Sequence, residues 1–226
     1  MADNSIVCDS SALISLTDSC FVNIFYELSR RLDGHFLIPK SVEDECVTVP
    51  MRSRQHALHA IRIKQAVSDG VLHVVTRELS DESHDLSWIA NNIFFMGERP
   101  VKLLHRGETE MLALAHELGV KNILIDERTT RMLAESPWRL KRHLEDEFRH
   151  SVSVNEEFLE RFSGYIQGMS FFRSTELLIA AYEHGFFKAY KDMEQDMLLA
   201  SLYSLKNEGC AVSFDEIESF VKELRK

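Results

Sequence analysis

Short apolar runs and helical stripes alternate along this chain of 226 residues. "SIVC" at 5–8, "HFLIP" at 35–39, "VLHVV" at 71–75 and "NILID" at 122–126 read as short strands buried on both faces and bounded by turn residues. The segments between them carry apolar residues at helical spacing. "SALISL" and "FVNIFYELSRRL", the latter ending at "DGH", are predicted helices, and "SVEDECVTV" is another with Ser41 as its N-cap. "RSRQHALHAIRIKQAVSDG" predicts a helix stopping at Gly70, "DESHDLSWIANNIFFMG" one stopping at Gly97, and "GETEMLALAHELG" one between two glycines. A further helix runs from about Arg128 to Pro137.

Strands alternating with helices predict an α/β fold of three layers (α/β/α) around a central parallel sheet over residues 1–140, with a helical insertion at about 50–100. The remainder, 141–226, reads as a C-terminal helical extension with no strand beyond a fragment near "HSVSV". Its helices are "GMSFFRSTELLIAAYEHGFF", "KDMEQDMLLASLYSLKNEG" and "SFDEIESFVKELRK".

Composition narrows the setting. The four cysteines are scattered with no C-x-x-C pair, which predicts reduced thiols. No apolar run reaches the roughly 18 residues a membrane span requires, and "MADNS" is not a signal peptide. A soluble, cytoplasmic protein is the expectation. A net charge of −10 opposes indiscriminate polyanion binding, yet the cations are grouped. No acid falls between Cys46 and Val67, where Arg52, Arg54, Arg62 and Lys64 lie, and a second group holds Arg128, Arg131, Arg139, Lys141 and Arg142. His56 and His59, three apart on the first basic helix, read as surface histidines because no third metal ligand accompanies them. "FFRS" and "GFFKAY" read as core rather than as base-stacking platforms.

Four acids stand where chemistry is expected. Asp9 and Asp126 each end an apolar strand, the place where open α/β sheets put their ligand crevices. Glu108 shares its helix face with Met111, Leu112 and Ala115, and an inward carboxylate needs a partner such as a cation. Glu110, on the side of Ala113 and Leu114, is an alternative to it, whereas Thr109 looks outward. Glu45 falls on the stripe of Val42, Cys46 and Val49, with Glu43 and Asp44 turned to solvent. Clustered carboxylates stay ionised only when something neutralises them, and all-oxygen ligands suit Mg²⁺ or Mn²⁺.

In this order, "IVCDSSALI", "LIPKSVEDE", "RGETEMLALA" and "ILIDERTTR" resemble the four signature segments of PIN-domain nucleases, among them the VapC-type toxins. The resemblance covers residues 1–134 or so, and the tail also looks like that of a PIN subgroup. It implies that Asp9, Glu45, Glu108 and Asp126 form a catalytic, metal-holding quartet assisted by Ser11. Glu127 stands where many relatives have a second aspartate, so either acid of that pair is open to the metal-facing role. The implied activity is Mg²⁺- or Mn²⁺-dependent endonucleolytic cleavage of RNA, single-stranded or structured, leaving a 3′-hydroxyl and a 5′-phosphate. Arg52, Arg54, Arg62, Lys64, Arg128 and Arg131 are then candidate RNA contacts. An antitoxin protein and a second copy of the chain enter as partners on the same resemblance. A reading of another class stands beside it: a catalytically idle PIN fold used for protein assembly, favoured by the acidic total and the apolar tail. Phosphate-loop, dinucleotide-fold and serine-hydrolase motifs are absent.

Overall fold

The computed structural model of the chain describes residues 4–31, 34–77 and 79–224. Met1 to Asp3 of the polar start, Leu32 and Asp33 at the end of the second predicted helix, and the last two residues lie outside that description. Strands in chain order are β1 (Ile6–Cys8), β2 (Phe36–Pro39), β3 (Leu72–Val75), β4 (Phe94–Met96), β5 (Arg99–Pro100), β6 (Asn122–Leu124), β7 (Ser153–Val154) and β8 (Ser170–Phe172). Helices of the first half are α1 (Ser10–Asp18), α2 (Asn23–Ser29), α3 (Lys40–Glu43), α4 (Ala57–Ser68), α5 (Ser80–Ala90) and α6 (Arg106–Leu118). The second half holds α7 (Arg128–Glu135), α8 (Pro137–Phe148), α9 (Glu156–Tyr165), α10 (Ser174–Glu183), α11 (Glu194–Asn207) and α12 (Phe214–Leu224).

The main sheet runs β3-β2-β1-β6-β8, and every neighbouring pair is parallel. The chain leaves β1 toward β2 and leaves β6 toward β8. The order therefore reverses between β1 and β6, and a crevice opens at their carboxyl ends. These two strands are in register, Ile6 opposite Asn122 and Cys8 opposite Leu124, and the Asp9 N–H donates to the Leu124 carbonyl at 2.9 Å.

Side chains alternate between two cores, as a sheet covered on both faces requires. Ile6, Cys8, Phe36, Ile38 and Leu124 pack with α1, α2, α10, α11 and α12 on one face. Val7, Ile123 and Ile125 pack with α5, α6, α8 and α9 on the other. The parallel sheet and its two helical layers agree with the predicted three-layer α/β/α fold.

Several elements depart from the sequence pattern. The apolar run expected to stay helical as far as Gly97 leaves the helix at Ala90, because the Asn91 carboxamide takes the backbone N–H groups of Leu103 and Leu104 at 2.6 and 2.8 Å. "FFM" is instead β4, which pairs antiparallel with β5 and β7. "HSVSV" does contain a strand, β7. The helical reading of "GMSFF" is corrected: Ser170–Phe172 is the fifth strand of the main sheet, with Phe171 packing on one face and Phe172 on the other. The helix starting at Arg52 in the pattern begins at Ala57, after a 3₁₀ turn over Pro50–Arg52. All four cysteines are free, and no helix among the described residues is long and apolar enough to cross a membrane.

The layer over α1 comes largely from the far end of the chain, through Leu177, Leu178, Leu202 and Leu205. A chain ending at His150 lacks β8 and that layer. It is expected to lose its cooperative melt by circular dichroism and to aggregate; a sharp transition at the full-length temperature would contradict this packing.

Candidate active site

Asp9 leaves β1 and caps α1. Its Oδ2 accepts the Ser11 N–H at 3.0 Å and the Ser11 hydroxyl at 2.5 Å, with the residue 2 % exposed. The same hydroxyl oxygen accepts the N–H groups of Asp126 and Glu127 at 3.1 and 3.2 Å. Ser11 thus joins the ends of β1 and β6. Burial pushes the Asp9 carboxyl up to about 6, the bonds from Ser11 pull it down, and the Glu45 charge adds to the rise.

Glu108 stands in the first turn of α6, where Oε2 accepts the His105 N–H at 3.0 Å. Burial pushes it up to about 7, the Asp9 charge adds to the rise, backbone N–H groups oppose it, and the Glu127 charge raises it further. Glu45 reaches the same place from the opposite wall. A Cβ on Gly107 would meet its Oε1 at 2.9 Å and its Oε2 at 3.0 Å, so its carboxylate lies across the bare backbone of Gly107. The charges of Asp9 and Glu45 both act on the Cys46 thiol, which burial already holds protonated.

Glu45 does not arrive there on an apolar stripe. Asp44–Thr48 is a π-turn, and its wider i→i+5 spacing rotates the later side chains about the helix axis. Val47 is buried, Val49 is 63 % exposed, Glu45 itself is exposed, and Glu43 and Asp44 both pair with Lys40. Thr109, expected outward, is buried, its hydroxyl donating to the His105 and Arg106 carbonyls. Glu110 pairs with Arg106 at 2.6 Å and lines a separate cavity with His84 and Lys102.

The two acids after β6 divide their work. Asp126, 1 % exposed, accepts the Ser174 N–H on Oδ1 and the Ser174 hydroxyl on Oδ2, both at 2.7 Å, and so holds the start of α10. Glu127 caps α7 by accepting the N–H groups of Thr129 and Thr130 at 2.7 and 2.6 Å, and its charge is the one that reaches Glu108. Interacting charges thus link Asp9 with Glu45 and Glu108, and Glu108 with Glu127, while the Asp126 carboxylate is bound to the C-terminal segment. Ser174 went unnoticed in the sequence, although a Ser-Thr-Glu step before an apolar run signals a helix start.

The donor set is all carboxylate, which suits a hard divalent cation. Among the described residues, no group of three or more His, Cys, Asp or Glu is arranged to hold a metal ion as it stands. The candidate RNA contacts also separate. Arg52, Arg54 and Lys64 are exposed. Arg62 is engaged at the end of α1, donating to the Thr17 carbonyl at 3.2 Å. Arg128 and Arg131 line a cavity of about 640 Å³. His59, expected on the surface, is buried with Nδ1 3.2 Å from Asp18 Oδ1.

A parallel sheet whose strand order reverses beside a set of acids defines an α/β domain with an acidic crevice at its strand ends. A family model described as DUF3368, a PIN domain, matches residues 5–137, and the chain belongs to this family. PIN domains are generally nucleases that act on nucleic acids and typically use divalent metal ions. Comparison with curated proteins and with solved structures gave no match.

The site's electrostatics and packing lead to two measurable outcomes. The Asp9 carboxyl lies at 3.8 when unperturbed and about 6 in the fold, so the folded state holds the proton more tightly and stability falls as pH rises through that window. In metal-free protein, Asp9→Asn should flatten this fall and raise stability at neutral pH by up to about 3 kcal/mol; denaturant titrations at pH 4 and 7 check both. Gly107→Ala should fold with a melting temperature within a few degrees of wild type, since only the mobile end of Glu45 must move, yet lose most of any nuclease activity in the same preparation.

Proposed function

We propose that the protein is a divalent-metal-dependent endoribonuclease. The observation that carries this reading is the gathering of Asp9, Glu45 and Glu108 at the strand-order reversal, where burial first, then the Glu45 charge on Asp9 and the Asp9 charge on Glu108, push two carboxyls up to about 6 and about 7. Burying interacting acids is costly to the fold alone and becomes favourable around a cation. Asp9, Glu45 and Glu108 would hold Mg²⁺ or Mn²⁺, and the Asp126–Glu127 step would supply the fourth charge. Glu127 suits that part because its charge acts on Glu108; the oxygens of both acids are engaged, those of Glu127 by Thr129 and Thr130 and those of Asp126 by Ser174. The bound ion supplies charge neutralisation at the scissile phosphate and a water of lowered pKa.

The chain's own groups do the positioning. Ser11 fixes the Asp9 carboxylate, Gly107 makes room for Glu45, and the His105 N–H orients Glu108. Exposed Arg52, Arg54 and Lys64 are available to an RNA backbone on the β2 side, and Arg128 and Arg131 on the other. A role as the toxin of a toxin–antitoxin pair, in the cytoplasm and with an antitoxin or a second copy as partner, rests on the resemblance of the signature segments alone.

A second reading, an idle PIN scaffold, draws on the finding that no three of these groups among the described residues form a ready metal site. Mn²⁺-dependent cleavage of a single-stranded RNA panel separates the two. The nuclease reading expects cleavage and a Mn²⁺-induced rise in melting temperature, both lost in Asp9→Asn and Glu108→Gln. It also expects Glu127→Gln to raise the Mn²⁺ needed for half-maximal rate, while Asp126→Ala chiefly lowers the melting temperature by orphaning Ser174. Wild type and Asp9→Asn cutting equally would refute it; no cleavage and no Mn²⁺ shift in wild type would leave the scaffold.

A further inference from the structure

The cavity of about 640 Å³ beside the acids is lined by Arg128, Arg131 and Arg139 from α7 and α8, and by Lys206, Ala211 and Glu216 from the C-terminal segment. Its size is that of a small-molecule or nucleotide pocket. Glu216 brings the one negative charge, and that charge is already matched. Its Oε1 lies 3.1 Å from Nη1 of Arg173, which is 5 % exposed, and its Oε2 accepts the Ser213 N–H at 2.8 Å.

Two of the four cations are unengaged. Arg128 and Arg139 are exposed and form no ion pair among the described residues. Arg131 is already held, its Nη2 donating to the Ala211 carbonyl at 3.4 Å and its Nε, which has no hydrogen-bond partner, pairing with Glu135 at 3.7 Å. Lys206 donates to the Val212 carbonyl at 2.6 Å, which fixes the loop forming the far wall. Two unpaired arginines, Arg128 and Arg139, beside one compensated acid, on a chain of net charge −10, mark a place for an anion. Guanidinium groups match phosphate oxygens in geometry as well as charge.

The cavity adjoins the acids. Arg128 comes directly after Glu127, and the Ala211 N–H points to the Asp126 carbonyl at 3.4 Å. Lys206, Ala211 and Glu216 lie beyond residue 137, where the family match ends. We propose that this cavity binds a backbone phosphate of single-stranded RNA adjacent to the phosphate being cut, with Arg128 and Arg139 as its contacts and the C-terminal segment as its wall. The assignment rests on the endoribonuclease reading and gives the otherwise acidic tail a part in holding the substrate.

The test is fluorescence anisotropy with a labelled single-stranded oligoribonucleotide and the full chain carrying Asp9→Asn, with Ca²⁺ present, across a salt series. Adding Arg128→Ala and Arg139→Ala should weaken binding roughly tenfold and reduce the log–log salt slope by about 1.4, the loss of two single-strand phosphate contacts. Neither arginine has a partner to lose, and an unchanged melting temperature verifies the fold. Unchanged affinity and slope, or no binding by either protein, overturns the assignment, as does full competition by millimolar inorganic phosphate, which would mark a free-phosphate site. The two readings fail separately. Cleavage by wild type with arginine-independent binding removes the cavity alone, whereas arginine-dependent binding without cleavage supports the cavity and removes the nuclease.

Discussion

The hydroxyl of Ser11 uses its whole hydrogen-bonding capacity at one point of the fold. It donates its proton to Asp9 and accepts N–H groups from Asp126 and Glu127, which saturates one donor and two acceptor positions. Strand pairing alone would bring the ends of β1 and β6 side by side. This bond fixes the angle at which the two chains leave the sheet, and with it the direction of the acids at their ends. A hydroxyl is needed, since alanine would orphan two N–H groups at once and leave the Asp9 carboxylate with backbone donors alone.

Around that junction the molecule tolerates a concentration of negative charge that its own cations do not neutralise. Arg106 is drawn to Glu110, Lys40 to Glu43 and Asp44, and Arg62 to the end of α1. Buried Arg173 is taken by Glu176 and Glu216. Of these cations, Arg106 still feels the Glu45 charge, but its direct bond goes to Glu110. Acids buried with no direct ion pair cost stability there, the usual mark of a site kept for chemistry.

Much of this was legible from the residues. Asp9 and Asp126 stand out because an apolar strand that ends on a carboxylate has reached the sheet's edge, and Glu108 because a helix-start acid shares an apolar face. The hidden part depended on contacts distant in sequence. Nothing local shows that Asp126 turns to Ser174 while Glu127 faces Glu108. The stripe on which Glu45 was placed is not kept, because a π-turn breaks the 3.6-residue period on which it was drawn. Likewise "SFF" sits directly before a strong helix former, so its pairing with β6 is invisible until the sheet is assembled. His59 and Arg62 looked like surface groups because Asp18 and Thr17, their partners, lie more than forty positions earlier.

The place of β8 in the sheet has a consequence for biosynthesis. Asp126 waits for Ser174, and β6 lacks its outer neighbour until residues 170–172 have been made. At ribosomal speeds of about 5–20 residues per second, that gap lasts some seconds, and parallel pairing across such a separation is slow in itself. A nascent chain therefore carries all four acids well before Ser174 can hold Asp126 and before β8 closes the edge of the sheet.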